Sequence, residues 1–132
     1  MPVRERLEAA SRYLAGAIVL REAGDYAGAI SRCYYAAFQA MWAALGDPPT
    51  KRRWEHAGII QTFVRGRWDD PAHPMTGPGR YEQLRFPLRR LYRLRLGVDY
   101  HIESVTQETA DWALGVVRDV VGTVRAKVRE GE

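Results

Sequence analysis

At 132 residues, with 46% hydrophobic and 27% charged positions, the chain is sized for one domain spanning 1–132 and is too apolar to remain disordered. No stretch approaches the roughly 20 apolar residues that cross a bilayer, and the lone Cys33 excludes an intrachain disulfide. The net charge of +4 is unevenly placed: residues 1–50 balance to zero, residues 51–95 carry +7, and residues 96–132 carry −3.

The first predicted helix covers 4–23, where Leu7, Ala10, Leu14 and Ala17 or Ile18 recur at steps of three and four until Gly24 and Asp25 interrupt them. A second, 26–45, is apolar nearly all round and ends at Gly46, Asp47, Pro48 and Pro49. Such a helix is either central in the bundle or turns its extra face to a second copy of the chain. A third is expected over 54–67, with Ile59, Ile60, Phe63 and Val64 inward, and the Pro- and Gly-rich residues 69–79 read as a mobile loop. Leu84, Leu88 and Leu91 then predict a helix over 81–96, in which Pro87 is a possible kink and Gly97 a stop. Thr106 is placed to cap a last helix carrying Ala110, Ala113, Leu114, Val117, Val120, Val121, Val124 and Val128 on one side. Nothing alternates with period two, so the expected class is all-α, an antiparallel up-and-down bundle of four to five helices.

Of the 20 bases, 18 are arginine, whose planar fork of donors suits phosphate. The central basic block therefore points to a polyanionic partner or to a solvated face. Arg85, Arg89 and Arg93 form an i, i+4, i+8 stripe that should face solvent or an RNA backbone, whereas Arg95 continues the inward Leu84, Leu88, Leu91 series. A charge there needs a partner or a purpose, unless it caps the helix C-terminus. His101 follows six residues later. Arginine and histidine converging on one phosphate have the chemistry to stabilise transition-state charge and move a proton, and in RNA the 2′-hydroxyl is a built-in nucleophile. Tyr34 and Tyr35 are core residues or base-stacking ones. His56, His73, His101 and Cys33 show no metal-binding spacing, and no phosphate-cradling glycine loop is present, so neither metal nor cofactor is expected.

Three segments together resemble the HEPN family of small helical domains, often encoded beside a minimal nucleotidyltransferase. They are Ala29-Ile30-Ser31-Arg32-Cys33-Tyr34-Tyr35-Ala36-Ala37-Phe38, His56-Ala57-Gly58-Ile59-Ile60 with Phe63, and Arg95-Leu96-Gly97-Val98-Asp99-Tyr100, and the resemblance spans nearly the whole chain. The family's ribonuclease motif, Arg followed after four to six residues by His, matches Arg95 and His101. The lone Cys33 suits a reducing cytosol, and the resemblance implies a metal-independent endoribonuclease that leaves 2′,3′-cyclic phosphate ends. It further implies a homodimer with two motifs facing across a basic cleft, and a toxin paired with a separate nucleotidyltransferase chain. This chain lacks the Gly-Ser and paired aspartates such a transferase needs. Arg32, Asp99 and Tyr100 also match family positions, and an ion pair between Arg32 and Asp99 is expected to orient the motif. His56 matches a position that serves packing, capping or chemistry. Some toxin members carry a tyrosine two residues after the motif histidine, where the partner attaches AMP; Glu103 stands there, with Tyr100 nearby. The alternative is a non-catalytic nucleotide- or substrate-binding partner of the transferase, since many relatives keep Arg-x-x-x-Asp-Tyr without the histidine.

Overall fold

Apolar residues at steps of three and four become the buried faces of helices. The computed structural model describes residues 2–99 and 104–131 and contains α1 (Val3–Glu22), α2 (Tyr26–Leu45), α3 (His56–Arg65), α4 (Arg85–Asp99) and α5 (Gln107–Gly131), with a 3-10 turn at Glu82–Leu84. Among those residues there is no strand, and no helix is long and apolar enough to cross a membrane. The all-α helical bundle predicted from spacing is the architecture that forms.

Gly24 and Asp25 turn the chain between α1 and α2, and Asp25 Oδ1 accepts the Gly28 N–H at 2.8 Å, satisfying a first-turn donor of α2. α2 packs on all four other helices, most extensively on α1. Its fully buried Ala29, Ala36, Ala37 and Ala40 let neighbours approach closely, while Ile30, Tyr34 and Met41 fill the remaining space. Burial of one Ile or Met side chain contributes about 1.5–3 kcal/mol. A central position thus accounts for the apolar excess of α2 within one chain.

α3 is shorter than the predicted 54–67. Trp54 stays outside it, its indole N–H donating to Gly46 O at 2.8 Å, and Gly66 ends it at φ +79°. Residues 69–79 form an irregular loop, as expected, and Arg65 holds it by donating to Pro74 O and Gly77 O at 3.3 and 2.8 Å. Phe63, Trp68 and Tyr81 stack at interplanar angles no steeper than 21°, and the N–H groups of Arg80 and Tyr81 donate to Arg65 O and Val64 O at 3.1 and 2.9 Å. Gly79 is required by this approach, because a Cβ there would lie 2.3 Å from Val64 O.

Pro87 leaves α4 without a kink because it falls in the first turn, where its missing N–H would have no intrahelical acceptor. Nor does Gly97 stop the helix. A helical glycine costs about 1 kcal/mol, which burial of Val98 beyond it offsets, so α4 continues to Asp99. Thr106 Oγ1 accepts the Thr109 N–H at 3.2 Å and starts α5 as predicted.

Asp69 ties the fastened segment to α5: it accepts from Tyr81 OH, from Arg80 at 2.7 Å and from Lys127 at 3.2 Å. Against the effect of burial, the Tyr81 bond, with Arg80 and Lys127, holds this carboxyl at about 2. A pKa depressed in the folded state gives stability that is full above the unfolded value of about 3.9 and is lost as pH falls through the folded value. Asp69→Asn is expected to melt lower at neutral pH and to lose less stability on acidification, measured by thermal unfolding across that range. Overlapping acid profiles for the two proteins would refute this role.

Candidate functional site

The inward leucine series of α4 places Arg95 against α2. Leu88 and Leu91 are fully buried, and the Arg95 side chain one turn on is 17% exposed. Its Nε donates to Asp99 Oδ2 at 2.8 Å, and Asp99 Oδ1 accepts from Ser31 Oγ of α2 at 3.2 Å. The guanidinium carbon lies 5.3 Å from the Tyr34 ring centre and 5.2 Å from that of Tyr35. Burial works against the Arg95 charge, but the Asp99 hydrogen bond and the neighbouring Tyr35, Asp99 and Tyr34 outweigh it and raise the pKa further. Arg95 does not cap the helix end, because α4 runs one turn beyond it.

Behind the arginine, Tyr34 is fully buried and its hydroxyl bonds to Nδ1 of His56, the first residue of α3. Burial pushes the Tyr34 phenol up, only partly opposed by the Arg95 charge, so the hydroxyl keeps its proton. Burial, and then the Arg95 charge, push the His56 imidazole down. His56 stacks on Tyr92 with ring centres 4.7 Å apart and an interplanar angle of 19°. Arg95, Tyr34, His56 and Tyr92 therefore form one cluster along the seam of α2, α3 and α4.

Other predicted site residues fall elsewhere. The expected Arg32–Asp99 ion pair does not form, because Asp99 is taken by Arg95 on its own helix. Arg32 is exposed and lines two open grooves, one of about 580 Å³ with Arg12 and Tyr13 and one of about 460 Å³ with Ser31 and Asp99. The arginine stripe is divided too. Arg85 is bound to Glu82 and Gln61, so its charge is neutralised within the chain, while Arg89 and Arg93 are exposed. At 100° per residue, Arg89 and Arg93 face away from the side of α4 that carries Arg95, so the fold does not bring these two groups together. Neighbouring Arg90 lies over Trp112 at 4.1 Å. Tyr100 and His101 lie outside the described residues.

Sequence reasoning overlooked Tyr92 and Arg53, which border His56 in a cleft of about 450 Å³. Tyr92 had a signal, since it stands three residues before Arg95 and shares its helix face. Arg53 sits in an irregular segment without periodicity.

The profile of the HEPN domain family matches residues 3–127, and the chain belongs to that family. Membership is consistent with a nuclease or RNA-binding role in general. No curated protein matches the chain.

Two outcomes test this geometry. Asp99→Ala is expected to destabilise the fold by about 1–2 kcal/mol, as loss of a charge-assisted hydrogen bond implies, whereas Arg32→Ala should stay within about 0.5 kcal/mol; urea unfolding measures both, and equal losses would restore the Arg32–Asp99 pair. Arg95→Gln removes a charge that disfavours imidazolium, so the His56 pKa should rise in an NMR titration. An unchanged or lower value would contradict the clustering of the two residues.

Proposed function

We propose that this HEPN domain is a metal-independent endoribonuclease, the toxin member of a pair with a separate minimal nucleotidyltransferase, acting as a cytoplasmic homodimer through Arg95 and His101. The observation that carries this reading is the state of Arg95. It is half-buried and held by Asp99 through Nε alone, and its two Nη groups bond to no described residue. A guanidinium fixed in this way has a fork of donors available for the non-bridging oxygens of a phosphate.

In the proposed step the 2′-hydroxyl oxygen attacks the adjacent phosphorus. The P–O2′ bond forms as the P–O5′ bond breaks, a histidine base takes the 2′ proton, and a protonated histidine delivers one to the leaving 5′ oxygen. The products are a 2′,3′-cyclic phosphate and a 5′-hydroxyl. One chain carries one Arg95–His101 motif, so a dimer supplies a histidine for each proton transfer. Arg95 contributes by stabilising charge as it builds on the phosphoryl oxygens, an effect of about 10²–10³-fold for a single oriented donor. The pairing with a transferase rests on the family resemblance.

The test is incubation of purified protein with RNA in EDTA, beside Arg95→Ala and His101→Ala. Fragments with cyclic phosphate ends are expected, with each variant at least about 100-fold slower, and light scattering should report two chains per particle. Expression in a bacterial host should arrest growth, and Arg95→Ala should relieve the arrest. Cleavage that survives both substitutions, or that stops on adding EDTA, overturns the reading.

A further inference from the structure

The cleft beside His56 is lined by Arg53, Trp54, Glu55, His56, Ala57 and Tyr92 and holds about 450 Å³, within the roughly 300–1,000 Å³ usual for small-ligand sites. Its groups are set for a nucleotide. Arg53 is exposed and makes no ion pair or hydrogen bond with a described residue, whereas Glu55, the acid of the cleft, is neutralised by Lys51 at 2.9 Å. The indole of Trp54 is held by its N–H bond to Gly46 O, which leaves the ring to line the cleft. Tyr34 OH is hydrogen-bonded to His56 Nδ1, which leaves Nε2, on the other side of the ring, without a bond to any described residue.

The cleft also lies close to Arg95. The Tyr34 ring centre is 5.3 Å from the Arg95 guanidinium carbon and 5.4 Å from the His56 ring centre. Arg95 and His56 are thus no farther apart than these two distances laid end to end, a span that a strand of a few nucleotides covers. A chain of phosphates held at Arg95 therefore extends to the cleft within a few nucleotides.

We propose that this cleft is a strand subsite of the RNA-binding face: it takes a nucleotide a few positions from the phosphate at Arg95, its phosphate on Arg53 beside His56 and its base against Trp54. The inference rests on the RNA reading of the Arg95 site and adds its substrate class, a single strand. A base paired in a duplex is stacked on its neighbours and has no face to offer the indole.

The test uses a fluorescein-labelled 2′-O-methyl hexanucleotide, which lacks the 2′-hydroxyl and cannot be cleaved, so binding is read apart from chemistry. Arg53→Ala is expected to weaken binding about tenfold, the effect of losing one charge-assisted contact, with an unchanged melting temperature because Arg53 has no described partner. The His56 ring resonances should shift on adding the hexamer, and the same sequence as a duplex should bind more weakly. AMP alone should need a far higher concentration to produce the shift. An unaltered affinity in Arg53→Ala with unmoved His56 resonances overturns the subsite, as does AMP binding as tightly as the hexamer, which would mark a free-nucleotide site. The two readings fail separately. Wild-type protein that binds the hexamer here and cleaves no RNA overturns the nuclease and leaves the subsite, while RNA cleavage with a KM indifferent to Arg53→Ala does the reverse.

Discussion

Tyr34 sits on α2, which packs against all the other helices, and it is fully buried. A buried hydroxyl without a partner costs about 1–3 kcal/mol, so the fold has to bring a partner to it. That partner is His56, the first residue of α3. Glu55 is extended before it, and the ring of His56 comes to rest on Tyr92 of α4. One buried oxygen on α2 thereby couples the start of α3 to the face of α4 that carries Arg95. The aromatic cluster is closely knit, with Tyr34 also 5.3 Å from Tyr92 and 6.1 Å from Phe38 between ring centres.

The same ring sets the environment of Arg95. A cation moved out of water needs compensation, which comes from one carboxylate, Asp99, and two tyrosine faces. Asp99 is available because α4 continues through Gly97. Had the helix stopped at that glycine, the carboxylate would not stand four residues on, one turn above the guanidinium. Burial of Val98 thus reaches into the electrostatics of the site through the length of the helix.

Spacing in the sequence was enough for α1, α2 and α5, whose apolar stripes are long and whose ends carry local signals: Gly24 with Asp25, Gly46, and Thr106. It was less informative where tertiary contacts decide. Trp54 is apolar and immediately precedes α3, but its indole N–H is drawn to Gly46 O and it stays outside the helix. Residues 69–79 have no periodicity and owe their order to Asp69 and the Phe63–Trp68–Tyr81 stack. At the site, the inward place of Arg95 was legible from Leu84, Leu88 and Leu91. Its partner was not, because a helix expected to stop at Gly97 leaves Asp99 outside it and hides the i, i+4 relation of Arg95 and Asp99.

The charge balance takes on a different meaning once partners are assigned. The central block carries +7, but Arg80 is bound to Asp69, Arg85 to Glu82, Arg95 to Asp99 and Lys51 to Glu55, and Arg65 donates to the carbonyls of Pro74 and Gly77. Arg52, Arg53, Arg67, Arg89 and Arg93 make no ion pair or hydrogen bond with described residues. An exposed arginine of that kind draws a polyanion from a distance and loses its pull as salt rises. An arginine backed by aromatic rings and fixed by one carboxylate loses less, because burial limits screening and its geometry is set before a ligand arrives. Long-range attraction and local grip thus fall to different arginines, and the seam of α2, α3 and α4 places a preset guanidinium and an imidazole against the same buried ring.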